Sequence, residues 1–261
     1  MSGPIRRILV AVDASPLSLA AAEAACRLAG RLGAQLEALF VEDINVVRLV
    51  AHPFVHTISL AAARRQSADD TLIGKALELQ MVAARRALEA AMAASGTHGA
   101  FTVRRGRVEA ELLEAARSCD LVCLGWSGRA DPGARPRLGS VARAVTEAAA
   151  GSVLLLQKPS AGPVCLWWDG DGKGLEMAAG LAVQDGGRVD VLVPATDRIE
   201  GTRRGVDAVE ALQRRGVRAG LRAVGRPTTL LAALPADAVL VLPADVGLTL
   251  DDLPCSAVVV R

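Results

Sequence analysis

LVCLGWSGRADPGARPRLGSVARAVTEAAAGSV, residues 121 to 153, is the stretch that decides how this chain folds. An apolar run, Leu121 to Leu124, stops at Gly125, and Gly128 follows three residues on. After a basic loop, Gly139-Ser140 opens a segment with apolar residues at helical spacing. A strand that ends in a glycine loop and re-enters the fold as a helix is a unit of a parallel α/β sheet. Its loop and helix N-terminus present backbone N–H groups suited to cradle phosphate.

Working outward, the same alternation continues on both sides. Ile8–Val12 predicts a first strand ending at Asp13, and residues 17–32 predict a helix closed by Gly33. Gln35–Val41 reads as a strand, Thr71–Ala94 as a long helix, Phe101–Arg105 as a strand and Glu109–Arg117 as a helix. Val141–Ala149 and Val153–Gln157 complete a β/α series of the doubly wound kind. Glu42–Asp70 is long for a loop and only weakly periodic, and fits either a lid or an excursion.

Lys158-Pro159-Ser160-Ala161-Gly162-Pro163 is a cluster of breakers, and the order of elements restarts beyond it. Strands are expected at Val164–Trp168, Arg188–Val193, Val217–Val224, Ala238–Leu242 and Ala257–Val260, with trimmed helices between them. Both halves place an Asp after their first strand, Asp13 and Asp169. Both finish in a very apolar strand, SVLLLQ and SAVVVR. The expectation is an internal duplication: residues 1–158 and 163–261 as two doubly wound domains with mostly parallel five-stranded sheets. In the second copy Pro243 stands where Gly125 stands, and no Gly-Ser pair opens a following helix, so a phosphate cradle there is not expected.

Composition narrows the function classes. The chain of 261 residues is 51% hydrophobic but only 2% aromatic, with no Tyr, so its core is aliphatic. A net charge of +2 is too balanced to predict a nucleic-acid or membrane partner. No apolar stretch is long enough for a membrane helix, and the N-terminus lacks a signal-peptide pattern. The five cysteines have no metal-type spacing and read as reduced core residues of a cytoplasmic protein. His52 and His56 are four apart, but Pro53 lies between them and no third ligand is evident, so no metal site is predicted. There is no GxSxG, HExxH or P-loop lysine pattern, and no catalytic residue can be named.

The strand ILVAVDAS (Ile8–Ser15) and the loop G-x2-G-x10-G-S (Gly125, Gly128, Gly139, Ser140) together resemble the universal stress protein family over roughly residues 5–158. The nucleotide-binding branch of that family has G-x2-G-x9-G-S/T, so this loop is one residue longer. The second half looks like a decayed copy, arranged with the first as an intramolecular pseudo-dimer. The resemblance implies ATP or AMP as ligand, with Mg²⁺ as its companion ion. Ala11, Val12 and Asp13 match the adenosine contacts and Val41, beside Leu124, an apolar base contact. Gly125 and Gly128 match the close approach to ribose and phosphates, and Gly139, Ser140 and Val141 the helix-terminal N–H donors. Arg129, Arg135 and Arg137 can screen phosphate charge; that follows from their charge and place.

Each signal also has a plainer reading. Asp13 can cap the next helix, the glycine pair can be a turn, and Gly139-Ser140 can be an ordinary cap. Three functions therefore stay open: a nucleotide-binding regulator acting on an unidentified protein partner, a slow ATPase, and a ligand-free scaffold. The scaffold could dimerise through the final strands VLLLQ and AVVVR, unless the two edges satisfy each other within one chain. Trp167-Trp168, beside Asp169, reads as a plug in the second half.

Overall fold

Strand β1 (Arg7–Ala11) is apolar at consecutive positions because both of its faces are covered. Ile8 and Val10 belong to one apolar cluster, and Leu9 to another on the opposite face of the sheet. The computed structural model describes residues 5–45, 56–59, 64–67, 70–127, 137–158, 162–170, 172–182 and 187–261.

In chain order the first half contains β1, helix α1 (Pro16–Leu32), β2 (Gln35–Asp43), a two-stranded antiparallel pair β3 (His56–Ser59) and β4 (Arg64–Ser67), and α2 (Asp70–Ser95). It continues through β5 (Gly99–Gly106), α3 (Val108–Ala116), β6 (Leu121–Gly125), α4 (Ser140–Ala148) and β7 (Ser152–Leu156). The second half contains β8 (Val164–Trp167), α5 (Gly172–Ala182), β9 (Arg188–Pro194), α6 (Arg198–Gln213), β10 (Arg218–Gly225) and α7 (Pro227–Ala232). β11 (Val239–Pro243), a 3-10 turn (Leu250–Asp252) and β12 (Ser256–Val260) end it.

Ten strands form one sheet in the order β10-β9-β8-β11-β12-β7-β6-β1-β2-β5. Strand order thus runs third, second, first, fourth, fifth in each half, read from its outer edge. Neighbours are parallel except at the centre, where β7 and β12 pair antiparallel through Val153–Val259, Leu154–Val258 and Leu155–Ala257. The fold is α/β with a mostly parallel sheet, as expected, but the two five-stranded sets join edge to edge. The apolar edges that sequence alone left open to a second molecule cover each other inside the chain.

Helices α1, α2, α5 and α6 pack on one face, and α3, α4 and α7 on the other. Helix α1 starts at Ser15, whose hydroxyl accepts from the Ser18 N–H, has Pro16 in its first turn, and ends at Gly33 with φ 62°. All five cysteines are free and buried. Strand β2 runs two residues past its predicted end because β5 continues beside it to Gly106, with Glu42 and Arg105 in a 2.9 Å ion pair. In the second half, the segment between β11 and β12 forms only the 3-10 turn where α4 stands in the first half. Among the described residues no helix is long and apolar enough to cross a membrane.

Candidate functional site

Strand β1 pairs with β2 on one side and β6 on the other, so the strand order reverses at its carboxyl end. A crevice opens at such a switch point, where ligands of open α/β sheets bind. The structure has a cavity of about 390 Å³ there, walled by the ends of β1, β2 and β6 and the starts of α1 and α4.

The loop after β1 is built from short-range hydrogen bonds. Asp13 Oδ1 accepts from the Ser15 N–H at 2.9 Å, and the Asp13 N–H donates to Ser18 Oγ at 3.2 Å. Ser18 Oγ in turn donates to the Ser15 carbonyl at 3.1 Å. These bonds hold Ala14 at φ 61°, a left-handed conformation that costs a non-glycine residue about 1 kcal/mol. Ser15 is therefore the cap of α1, and Asp13 supports the turn before it while its exposed carboxylate lines the cavity.

The loop after β6 is anchored at both described ends. The Trp126 N–H donates to the Leu156 carbonyl at 2.8 Å, and the Gly139 N–H donates to the Trp126 carbonyl at 2.9 Å. This corrects one expected role: Gly139 lines the cavity, but its N–H is engaged within the loop. The first-turn amides of α4, those of Ser140, Val141 and Ala142, have no side-chain cap. Gly125 also acquires a plainer reason. A Cβ there would lie 3.0 Å from the Leu17 carbonyl carbon and the Ser18 nitrogen, so glycine lets α1 pack against β6.

Of the residues singled out from sequence, Ala11, Val12, Asp13, Val41, Leu124, Gly125, Gly139, Ser140 and Val141 all line this cavity. Arg137 does not; it is exposed, and its charge acts on Asp251 instead. Gly128, Arg129 and Arg135 lie outside the described residues, as does His52.

Sequence reasoning missed Ser15, Ser18, Asp43, Gln80, Trp126 and Ser127, which also line the cavity. Trp126 and Ser127 sit between the two glycines of the loop motif, the one place where sequence could have exposed them. Both are buried, and among the described residues neither Trp126 Nε1 nor Ser127 Oγ has a hydrogen-bond partner. Buried polar atoms are rarely left unpaired, so Ser127 Oγ in a cavity wall is suited to a ligand's polar atom. Val12, Leu39, Val41 and Leu124 supply the apolar part of the wall. Asp13 and Asp43 are the only charged side chains among the described lining residues.

A family profile, that of the universal stress protein family, matches residues 4–157. The chain belongs to the universal stress protein family. Every residue lining the cavity falls inside the matched span. Among solved structures, this universal stress protein is similar to one from Archaeoglobus fulgidus DSM 4304 at 14% identity and TM-score 0.66, the match covering 98% of each chain. A protein from Pseudomonas aeruginosa UCBPP-PA14 described as a universal stress protein matches at 17% identity and TM-score 0.53, over 98% of this chain and 93% of its own. The universal stress protein UspA from Lactobacillus plantarum is 23% identical, with TM-score 0.44, over 59% of this chain and 99% of its own. The first two likenesses are of fold, and they extend through both halves. No curated protein matches the chain in sequence.

Proposed function

We propose that this universal stress protein binds one adenine nucleotide, ATP or AMP, in the cavity of its first half, and that occupancy regulates its choice of protein partner. The observation that carries this reading is the convergence of Asp13, an apolar wall and the uncapped start of α4 on one cavity at the strand-order switch. The cavity's volume falls in the range of small-molecule sites, roughly 300–1,000 Å³. In this reading the base rests against Val12, Leu39 and Val41, Asp13 meets the ribose, and the amides of Ser140, Val141 and Ala142 meet the phosphates. Ser127 Oγ supplies a further polar contact, and Asp13 and Asp43 are the carboxylates available to a Mg²⁺ carried on the phosphates. No described lining residue is a His, Lys, Cys or Arg.

The second half, residues 163–261, is in this proposal a smaller copy of the first without a site of its own. The repeated strand order and the whole-length likeness to the Archaeoglobus protein support it. The ligand-free scaffold is the competing reading, favoured by the packing reason for Gly125 and the internal bond of the Gly139 N–H.

Mass spectrometry of small molecules released by denaturing protein purified without added nucleotide separates the two. Adenine nucleotide near one per chain supports the first-half site. Two per chain would contradict the single-site reading. A chain that carries none, and takes up no ATP with Mg²⁺ in calorimetry, is a scaffold.

A further inference from the structure

Helix α4 carries the uncapped amides of the cavity, yet residues that fix it come from the other half of the chain. The Leu138 N–H, just before α4, donates to Asp251 Oδ1 at 2.9 Å, and the Arg143 guanidinium donates to Asp251 Oδ2 at 2.5 Å. At the opposite end of α4, the Arg261 guanidinium donates to the carbonyls of Thr146 and Glu147. Helix α4 has no acidic residue in its own first turn and no basic residue in its last. A helix gains stability from negative charge near its N-terminus and positive charge near its C-terminus. The second half supplies one of each.

The placement of Asp251 follows from what the second half has lost. It lies in the 3-10 turn Leu250–Asp252, between β11 and β12, where the first half has α4 itself. With no helix to form there, that segment reaches across the β7–β12 junction. Nearby bonds secure it: Gln157 donates its N–H to Ser256 Oγ at 2.9 Å and its side-chain amide to the Leu253 carbonyl at 3.1 Å. Asp251 itself does not line the cavity. It occupies the amide of Leu138 and the Arg143 guanidinium, and leaves the amides of Ser140, Val141 and Ala142 to the cavity.

We propose that the second half is a built-in brace for the first-half site, with Asp251 and Arg261 as positioning residues that hold α4 by both ends so that its first-turn amides face the anionic part of the ligand. The proposal rests on the nucleotide-binding reading for its ligand but not for its mechanics. The brace concerns the phosphate end of the cavity alone, and that sets its signature. A ligand with phosphates feels the loss of the brace, and one without them does not.

The test is calorimetry of the full chain with ATP·Mg²⁺ and, separately, with adenosine, on wild type, Asp251→Ala and Arg261→Ala. Expected is a loss of about tenfold or more in ATP affinity for Asp251→Ala, the scale of one charge-assisted contact, with adenosine affinity held within about twofold. Asp251→Asn keeps an oxygen for the Leu138 N–H and should fall between. Equal losses for ATP and adenosine would reduce Asp251 to a general structural residue, and unchanged ATP affinity in both alanine variants would overturn the brace. Should wild type bind neither ligand, the nucleotide reading fails, and hydrogen exchange decides the brace. Faster exchange of the α4 amides in Asp251→Ala, with α3 unchanged, then supports it, and unchanged α4 exchange overturns it.

Discussion

Trp167 stands in the second half where Ala11 stands in the first. Val10 pairs with Cys123 in β6, and Leu166 pairs with Val241 in β11; the next residue along each first strand is Ala11 or Trp167. Ala11 lines the cavity, whereas Trp167 is buried in the apolar cluster that also holds Leu192, Leu230 and Leu242. One position is thus small where space is kept and large where it is filled.

Exchanging the two residues tests this relationship. Trp167→Ala removes a fully buried indole and should cost about 3–5 kcal/mol in urea unfolding. Ala11→Trp should instead leave the fold standing and abolish nucleotide uptake by filling the first-half cavity. Retained ATP binding in Ala11→Trp, measured by calorimetry, would place the ligand elsewhere.

Gly125 and Ser127 sit two residues apart and should respond oppositely. Gly125→Ala drives a methyl group to 3.0 Å from backbone atoms of Leu17 and Ser18, which cannot swing away. A loss of about 1–3 kcal/mol is expected, as for other overpacked sites. Ser127→Ala removes a buried hydroxyl with no partner among the described residues, so ligand-free stability should hold or rise by about 1 kcal/mol. ATP affinity should fall in the same variant. A Ser127→Ala protein that is less stable and binds ATP normally would remove the hydroxyl from the site.

The ion pair at Asp251 gives a pH dependence with a definite sign. The Leu138 N–H, and then the Arg143 guanidinium, hold the Asp251 carboxyl below the usual carboxylate range. A lowered folded-state pKa means the unfolded chain takes up its proton first as pH falls. The stabilising effect is therefore present above the ordinary carboxylate pKa of about 4 and lost as pH drops through the depressed value. Asp251→Asn should be less stable than wild type at pH 7 in urea unfolding, and the gap should narrow as pH falls below about 4 and close only below the depressed value. A gap that persists there would mean the carboxylate charge is not the cause.

Much of this was legible in the sequence because it is local. The run Leu121–Gly125, the stop at Gly33 and the breakers after Lys158 each announce themselves within a few residues, and the structure has β6, the end of α1 and the gap between β7 and β8 there. Asp13 and Gly139 could be brought to one cavity because a parallel sheet puts all its carboxyl ends on one side. What stayed hidden is long-range. Gln80 joins the cavity from α2, and Asp251 meets Leu138 across 113 residues. Neither has a neighbour in sequence that hints at its place. Arg137 misled because charge in a loop says nothing of which way the side chain turns.

The β7–β12 junction predicts the state of the protein in solution. In each half the innermost strand is apolar after its first residue, a serine, and alone either would be an edge ready to recruit a second molecule. Here each covers the other, and the exposed edges of the sheet are β5 and β10. Those strands carry Arg104 and Arg105, and Arg218 and Arg222, the kind of charge that discourages edge-to-edge pairing. Light scattering should therefore find a monomer near 27.0 kDa at micromolar concentration. Placing a charge in the junction, as in Leu154→Lys, should not yield a clean dimer. It should part the two halves, expose both apolar strands and drive aggregation, because the buried lysine has no partner there. A soluble, well-folded Leu154→Lys monomer would show that the halves do not depend on this seam.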